Sequence, residues 1–139
     1  MKHTLSYFSG VLYRDFVCST SEQLDALGLH RGSLPFLLYL GKHPGCTPTE
    51  LTKALHMDWG HTQRSLDRLE QAGFLSRRKE GRSYRLTLTD SGAQAVALCR
   101  QSFHDWDDRI LGDLPLEQRS LLLKTMEALA AGCGRQPHV

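Results

Sequence analysis

A chain of 139 residues, 40% hydrophobic and 23% charged, has the length and composition of one globular domain, which excludes two ordinary domains and a disordered polyelectrolyte. The formal net charge of +2 is too small to argue for a polyanionic partner by itself, so the placement of the charge matters more than its sum. No stretch approaches the roughly 18 apolar residues of a membrane span and the chain opens without a cleavable leader pattern, so a soluble cytoplasmic protein is expected. Cys18, Cys46, Cys99 and Cys133 are widely spaced and include no Cys-x-x-Cys, which suits reduced thiols rather than a zinc site or a disulfide framework.

Leu5, Phe8, Leu12 and Phe16 recur at spacings of three and four and predict a helix from about Leu5 to Ala26, with a second apolar stripe at Tyr7, Val11 and Cys18. Two stripes suit either a buried helix or one that also meets a second chain. Gly28 closes it. A second helix is expected from about Arg31 to Lys42, with Leu34, Leu37 and Leu38 inward and Pro35 tolerable only near its first turn. His43-Pro44-Gly45 stops that helix, and Thr47-Pro48-Thr49-Glu50 then reads as a capping box that opens a short third helix with Leu51, Ala54 and Leu55 inward. Asp58 is a good N-cap for a fourth, running to about Gln71 and closed by Gly73, with Thr62, Leu66 and Leu69 inside. Two short amphipathic helices joined by a tight turn, the second basic on its outer side, make a helix-turn-helix.

The period then changes to two. Tyr84, Leu86 and Leu88 alternate with Arg85, Thr87 and Thr89 and predict a strand, paired with Phe74 to Lys79 through the turn Glu80-Gly81-Arg82-Ser83. This hairpin would be a wing. Thr89 caps a long helix from about Asp90 to Leu111, with Cys99, Phe103, Trp106 and Ile110 on one stripe, and Pro115 opens a last one carrying Leu122, Met126 and Leu129. The expected fold is mainly α with a small β-hairpin wing (α+β), in which a winged helix-turn-helix lobe, 29–89, is flanked by helices in 1–28 and 90–132. A two-fold dimer would bury the surplus apolar surface of those helices, and 133–139 would be a flexible tail.

The basic residues collect in the lobe. Between Asp58 and Arg85 stand Arg64, Arg68, Arg77, Arg78, Lys79, Arg82 and Arg85 against Asp58, Asp67, Glu70 and Glu80, while the rest of the chain is close to neutral. Asp67 and Glu80 are placed to orient arginines by salt bridges. Because an α-helix fits the DNA major groove, the outward residues of the fourth helix's first turns, Trp59, Gly60, His61, Gln63 and Arg64, are the candidate base readers. Arg64, which matches guanine, and Gln63, which matches adenine, lead that set; Trp59 suits packing on the first turn equally well. Thr47 and Thr49, with the amides at the start of the third helix, suit a phosphate, Thr47 serving equally as a cap. Arg68, Arg77, Arg78, Lys79 and Arg85 are candidate backbone contacts, and Arg82 at the wing tip is the candidate for the minor groove. Alternation puts Arg77 and Lys79 on one face and Arg78 on the other, so at least one of these cations is structural. A winged helix used for protein contact alone would not concentrate cations here.

This order of elements, with Gly28-Leu29, Pro44-Gly45-Cys46-Thr47-Pro48-Thr49-Glu50-Leu51, Leu66 through Leu75, and Arg82 followed by Leu88-Thr89-Asp90-Ser91-Gly92, resembles the MarR family of bacterial transcriptional regulators over nearly the whole chain. The resemblance implies a homodimer on a pseudo-palindromic operator, most simply a repressor. It also implies a small aromatic or phenolic ligand in a crevice between the dimerisation helices and the DNA-binding lobe. Tyr7, Phe8, Val11 and Tyr39 would line that crevice, with core packing the alternative role of each. Some relatives sense oxidants through a cysteine early in helix one; here Ser6 stands near that place and Cys18 lies several turns later, which argues against a thiol switch, the alternative form of regulation. The wing carries Glu80-Gly81-Arg82 where the family usually has Asp-x-Arg, and the fourth helix opens with Asp58-Trp59-Gly60-His61-Thr62 in place of lysine, alanine and small hydroxyl residues. No relative's operator therefore transfers to this chain.

No enzyme, cofactor or metal is expected. The seven histidines form no ligand pattern, His104-Asp105-Trp106-Asp107-Asp108 reads as a charged outer helix face, and neither a glycine-rich phosphate loop nor a Ser/His/Asp arrangement occurs.

Overall fold

The computed structural model describes residues 2–133, so the tail expected at 133–139 lies outside the described residues apart from Cys133. Helix α1 (Leu5–Leu27) is followed by a short 3-10 turn (Arg31–Ser33), α2 (Leu34–Lys42), α3 (Pro48–Ala54) and α4 (Trp59–Gln71). The hairpin β1 (Leu75–Glu80) and β2 (Ser83–Leu88) leads to α5 (Asp90–Leu111) and α6 (Leu116–Ala131). The expected fold class holds.

Local chemistry sets most of these limits. Thr4, Thr47, Asp58 and Thr89 each accept a backbone N–H of the first helical turn through a side-chain oxygen, satisfying donors that would otherwise be orphaned. Three helices close alike. After α1, Gly28 N–H donates to Asp25 O and Leu29 N–H to Leu24 O; after α4, Gly73 N–H donates to Glu70 O and Phe74 N–H to Leu69 O. Both closures need a left-handed residue, supplied by Gly28 (φ 73°) and Gly73 (φ 84°). After α3 the same bonds run from His56 to Lys53 O and from Met57 to Thr52 O, and there the left-handed position is taken by His56 at φ 53°.

Two boundaries differ from the periodicity. The second helix begins at Leu34 rather than Arg31, because Pro35 has no N–H to continue an α-helical ladder and Arg31–Ser33 close the tighter 3-10 turn before it. The hairpin runs one residue later on β1 and one earlier on β2, which narrows its loop to Gly81-Arg82. Phe74 is held back by its bond to Leu69 O, and Thr89 by its role as the cap of α5.

In the hairpin Leu75, Arg77 and Lys79 oppose Leu88, Leu86 and Tyr84, and Arg78 opposes Arg85. Gly45 N–H donates to Leu86 O and Leu86 N–H to Cys46 O, so the loop before α3 adds a short third edge to the wing. The core fills the lobe: Phe36, Leu37 and Leu40 of α2 meet Leu51, Leu66, Leu69, Leu75 and Leu86, all fully buried, with Ala95, Val96 and Cys99 of α5 closing one side. Burying these side chains is the main force that fixes α4 and the wing to one scaffold.

The helices outside the lobe are joined by polar ties. Arg31 donates to Val17 O and Thr20 Oγ1, while Trp106 Nε1 and Arg109 Nη2 both donate to Asp15 Oδ2, at 2.8 and 2.6 Å. Those hydrogen bonds, from Trp106 first and then Arg109, hold the Asp15 carboxyl below its ordinary range. No helix among the described residues is long and apolar enough to cross a membrane.

Candidate nucleic-acid interface

Helix α4 lies with Thr62, Ser65, Leu66 and Leu69 buried against the lobe, so the 3.6-residue period turns Gly60, Arg64, Asp67 and Gln71 outward. Asp58 Oδ1 accepts His61 N–H at 2.8 Å and starts the helix at the point where its outer face emerges. Trp59 is 53% exposed, so its ring is presented rather than packed away. Gln63 is half-buried on one flank. His61 lies on the other, its ring 5.4 Å from that of Phe36 in an edge contact, so it braces α4 on α2 at the rim of the outward face.

The cations divide into two groups. Arg77, an expected contact of the DNA backbone, has a side chain only 17% exposed, with Nη2 on Asp67 Oδ1 at 2.6 Å and Nε 3.8 Å from Glu70 Oε2. It clamps β1 to α4, because its strand register opposes Leu86 and turns it toward that helix. Arg85 is half-buried as well and donates to Glu80 Oε2 and to Gly45 O, tying the wing to the loop before α3. The carboxylates Asp67 and Glu80 thus hold arginines. Arg78 projects with 81% of its side chain exposed, 3.8 Å from Glu80 Oε2. Arg64, Arg68, Lys79 and Arg82 are exposed and make no ion pair among the described residues. Arg82 stands at the tip of a two-residue turn whose Gly81 has φ 62°.

Thr47 is committed to the cap. Its Oγ1 accepts Glu50 N–H at 3.1 Å and its own N–H donates to Glu50 Oε2 at 3.0 Å; with Pro48 lacking an N–H, Thr49 is the exposed group left at the start of α3.

Tyr7, Phe8 and Val11 are exposed on the N-terminal half of α1, where Tyr7 stacks on His3 and Phe8 meets both rings edge-on. Tyr39 is half-buried against the core and stacks on His43 at 4.2 Å. None of the four lines the larger cavity between α1 and α5. That cavity, about 330 Å³, is walled by Thr20, Leu24, Leu27, Leu98, Cys99 and Phe103, with the Gln23–Ser102 hydrogen bond at its edge. Its walls come from stretches more than seventy residues apart, so periodicity along the chain carried no sign of it. Burial raises the Cys99 thiol above its ordinary value and pushes that of Cys46 up to about 11, so both stay protonated at neutral pH.

Helix α6 buries none of its residues, and Leu116 is 84% exposed, with Leu121, Leu122, Leu123, Met126 and Leu129 also open. Leu5, Phe8, Val11, Leu12 and Tyr13 of α1 are open as well, so both helices present apolar faces to solvent.

Residues 27–85, from the end of α1 to the middle of β2, match the sequence pattern of the MarR family. An HTH-type transcriptional regulator, BilQ of Clostridium symbiosum, is 34% identical over 132 residues, covering 93% of this chain and 92% of its own. Among solved structures, a MarR family protein of Mycobacterium tuberculosis in complex with salicylic acid is 25% identical, with a TM-score of 0.68 over 92% of this chain and 97% of that one. A MarR family regulator from Listeria monocytogenes complexed with 26mer DNA superposes with a TM-score of 0.75 at 19% identity, over 93% of this chain and 87% of that one. The capped helix α4, the hairpin beside it and these likenesses agree: the chain belongs to the MarR family of winged helix-turn-helix transcriptional regulators.

Proposed function

We propose that this protein binds a pseudo-palindromic operator as a homodimer in the cytoplasm and represses transcription by occupying it. The observation that carries the reading is the set of exposed, unpaired cations, Arg64, Arg68, Lys79 and Arg82, spread over the outer face of α4 and the wing tip. Helix α4 would enter the major groove, Arg82 the adjacent minor groove, and Arg68, Arg78 and Lys79 would neutralise phosphates. The open apolar faces of α1 and α6 would meet their symmetry mates and set two reading helices about 34 Å apart, one turn of the duplex. A winged helix built for protein contact alone would have no reason to hold these cations free of the neighbouring carboxylates.

The sequence-independent part has its own test. Lys79→Ala is expected to weaken an operator and a random duplex equally and to make the salt dependence of binding shallower by about one unit in log–log slope. A loss confined to one sequence, measured by fluorescence anisotropy across a salt series, would place Lys79 on a base instead.

For regulation we infer a small aromatic ligand in the cavity between α1 and α5, supported by its apolar walls and by the salicylic acid bound to the Mycobacterium tuberculosis relative. Salicylate is expected to raise the melting temperature and lower operator affinity, and Leu98→Trp, which fills the mouth of the cavity, to abolish both responses. The same responses in the tryptophan variant would move the ligand elsewhere. A thiol switch has no support from Cys46 and Cys99, whose burial disfavours the reactive thiolate.

A further inference from the structure

The outward face of α4 opens on a residue with no side chain, and Arg64 lies over it. A Cβ built on Gly60 would stand 3.1 Å from Arg64 Nη1, 3.9 Å from its Cζ and 3.3 Å from Asp58 Oδ1. Contact at 3.1 Å is tighter than real Cβ atoms ordinarily accept, so a side chain here would move the guanidinium. The geometry has a simple origin: long side chains on a helix lean toward its N-terminus, and the residue beneath them is the one four positions earlier. For Arg64 that residue is Gly60. No ion pair fixes the head group among the described residues, and the space above Gly60, beside the capping carboxylate, is where it rests.

We propose that Gly60 is a specificity-determining residue that acts through Arg64, as the seat over which the guanidinium lies at the first turn of α4. Bidentate recognition of a guanine requires two nitrogens of one plane to meet two acceptors together, so the direction from which the arginine enters the groove decides whether both bonds form. An alanine Cβ at position 60 requires the guanidinium to give by a few tenths of an ångström, and a larger side chain there would displace it further and change that direction. The proposal rests on the reading of α4 as the recognition helix and adds that its glycine contributes by leaving room for another residue, without touching DNA itself. It also makes the signs of two effects opposite. Glycine is the poorest non-proline helix former, so replacing it stabilises α4 while discrimination falls.

The test uses the full chain and a duplex enriched by the native protein from a random library, with a scrambled duplex as reference. Gly60→Leu is expected to lower the ratio of the two affinities toward the loss caused by Arg64→Ala, roughly 5- to 150-fold, with Gly60→Ala in between and both variants melting at or above the native temperature. In the Arg64→Ala background, Gly60→Leu is expected to change the ratio no further. An equal additional loss in that background would show that Gly60 meets DNA itself, and a native ratio in the single Leu variant would show that the seat has no role; either result overturns the proposal. Failure of the native protein to enrich any sequence would overturn the DNA reading first, and this inference with it.

Discussion

Replacing Arg64 with alanine is expected to cost about 1–3 kcal/mol of discrimination, so that the affinities for operator and random duplexes move together by roughly 5- to 150-fold. The expectation follows from position. Among the cations of the lobe, Arg64 lies at the outward centre of the helix proposed to enter the groove, makes no ion pair among the described residues and stands opposite the buried Thr62, Ser65, Leu66 and Leu69. Its loss would leave the proposed phosphate contacts in place, so binding to random DNA is expected to fall only by the share of one charge. Stability is expected to change little, because an exposed arginine without partners contributes little to folding. Competition binding with both duplexes at one salt concentration checks this, and an equal loss on both would remove Arg64 from the readers.

The second large effect concerns folding. Gly92, in the first turn of α5, is buried against the backbone of Phe74: a Cβ there would stand 1.9 Å from Phe74 O and 2.9 Å from its carbonyl carbon. Phe74 has nowhere to go. Its N–H closes α4 on Leu69 O and its carbonyl accepts Thr89 N–H, so a shift breaks the end of the recognition helix or the start of α5. Gly92→Ala is therefore expected to cost about 3 kcal/mol, at the upper end for overpacking, and to lower the melting temperature by roughly 10 °C. Ser91→Ala, one residue away on the exposed side of the same turn, is expected to stay within about 0.5 kcal/mol. Circular dichroism melts of the two variants make the comparison, and a native melting temperature for Gly92→Ala would show that the helix and strand are less tightly joined than their geometry implies.

Much of this architecture was legible in the residues because its limits are set by local chemistry. Thr47-Pro48-Thr49-Glu50, Asp58 and Thr89 start helices, and Gly28 and Gly73 end them, for reasons contained within four or five positions of each. The left-handed His56 was less visible, since no glycine announces it, and so was the 3-10 turn before Pro35. In the interface, the concentration of cations could be read directly, but their division could not. Arg77 and Arg78 are adjacent and chemically identical, and only the side of the strand each occupies, together with the distance across space to Asp67 and Glu70, makes one a clamp and leaves the other projecting. His61 was similarly placed among the readers by its position in the first turn, while its contact with Phe36 depends on how α2 crosses beneath. The cavity between α1 and α5 was out of reach for the same reason, as was the seat of Arg64 on Gly60, where glycine alone suggested only close backbone approach.

The two stripes of α1 show what the chain leaves open. Phe16 does pack inward, against Phe103 and Trp106 of α5, whereas Leu5, Phe8, Val11 and Leu12 remain exposed. With α6 burying nothing, these faces are the physical argument for a second copy of the chain.

Whether two copies bind one duplex through α4 can be decided by selecting duplexes from a random library with the native protein and measuring the mass of the complex with the enriched sequence. The expected result is an inverted repeat whose half-sites are centred about one helical turn apart, bound by two chains per duplex. A library that emerges without a consensus, or a single chain on an enriched site lacking two-fold symmetry, would contradict it.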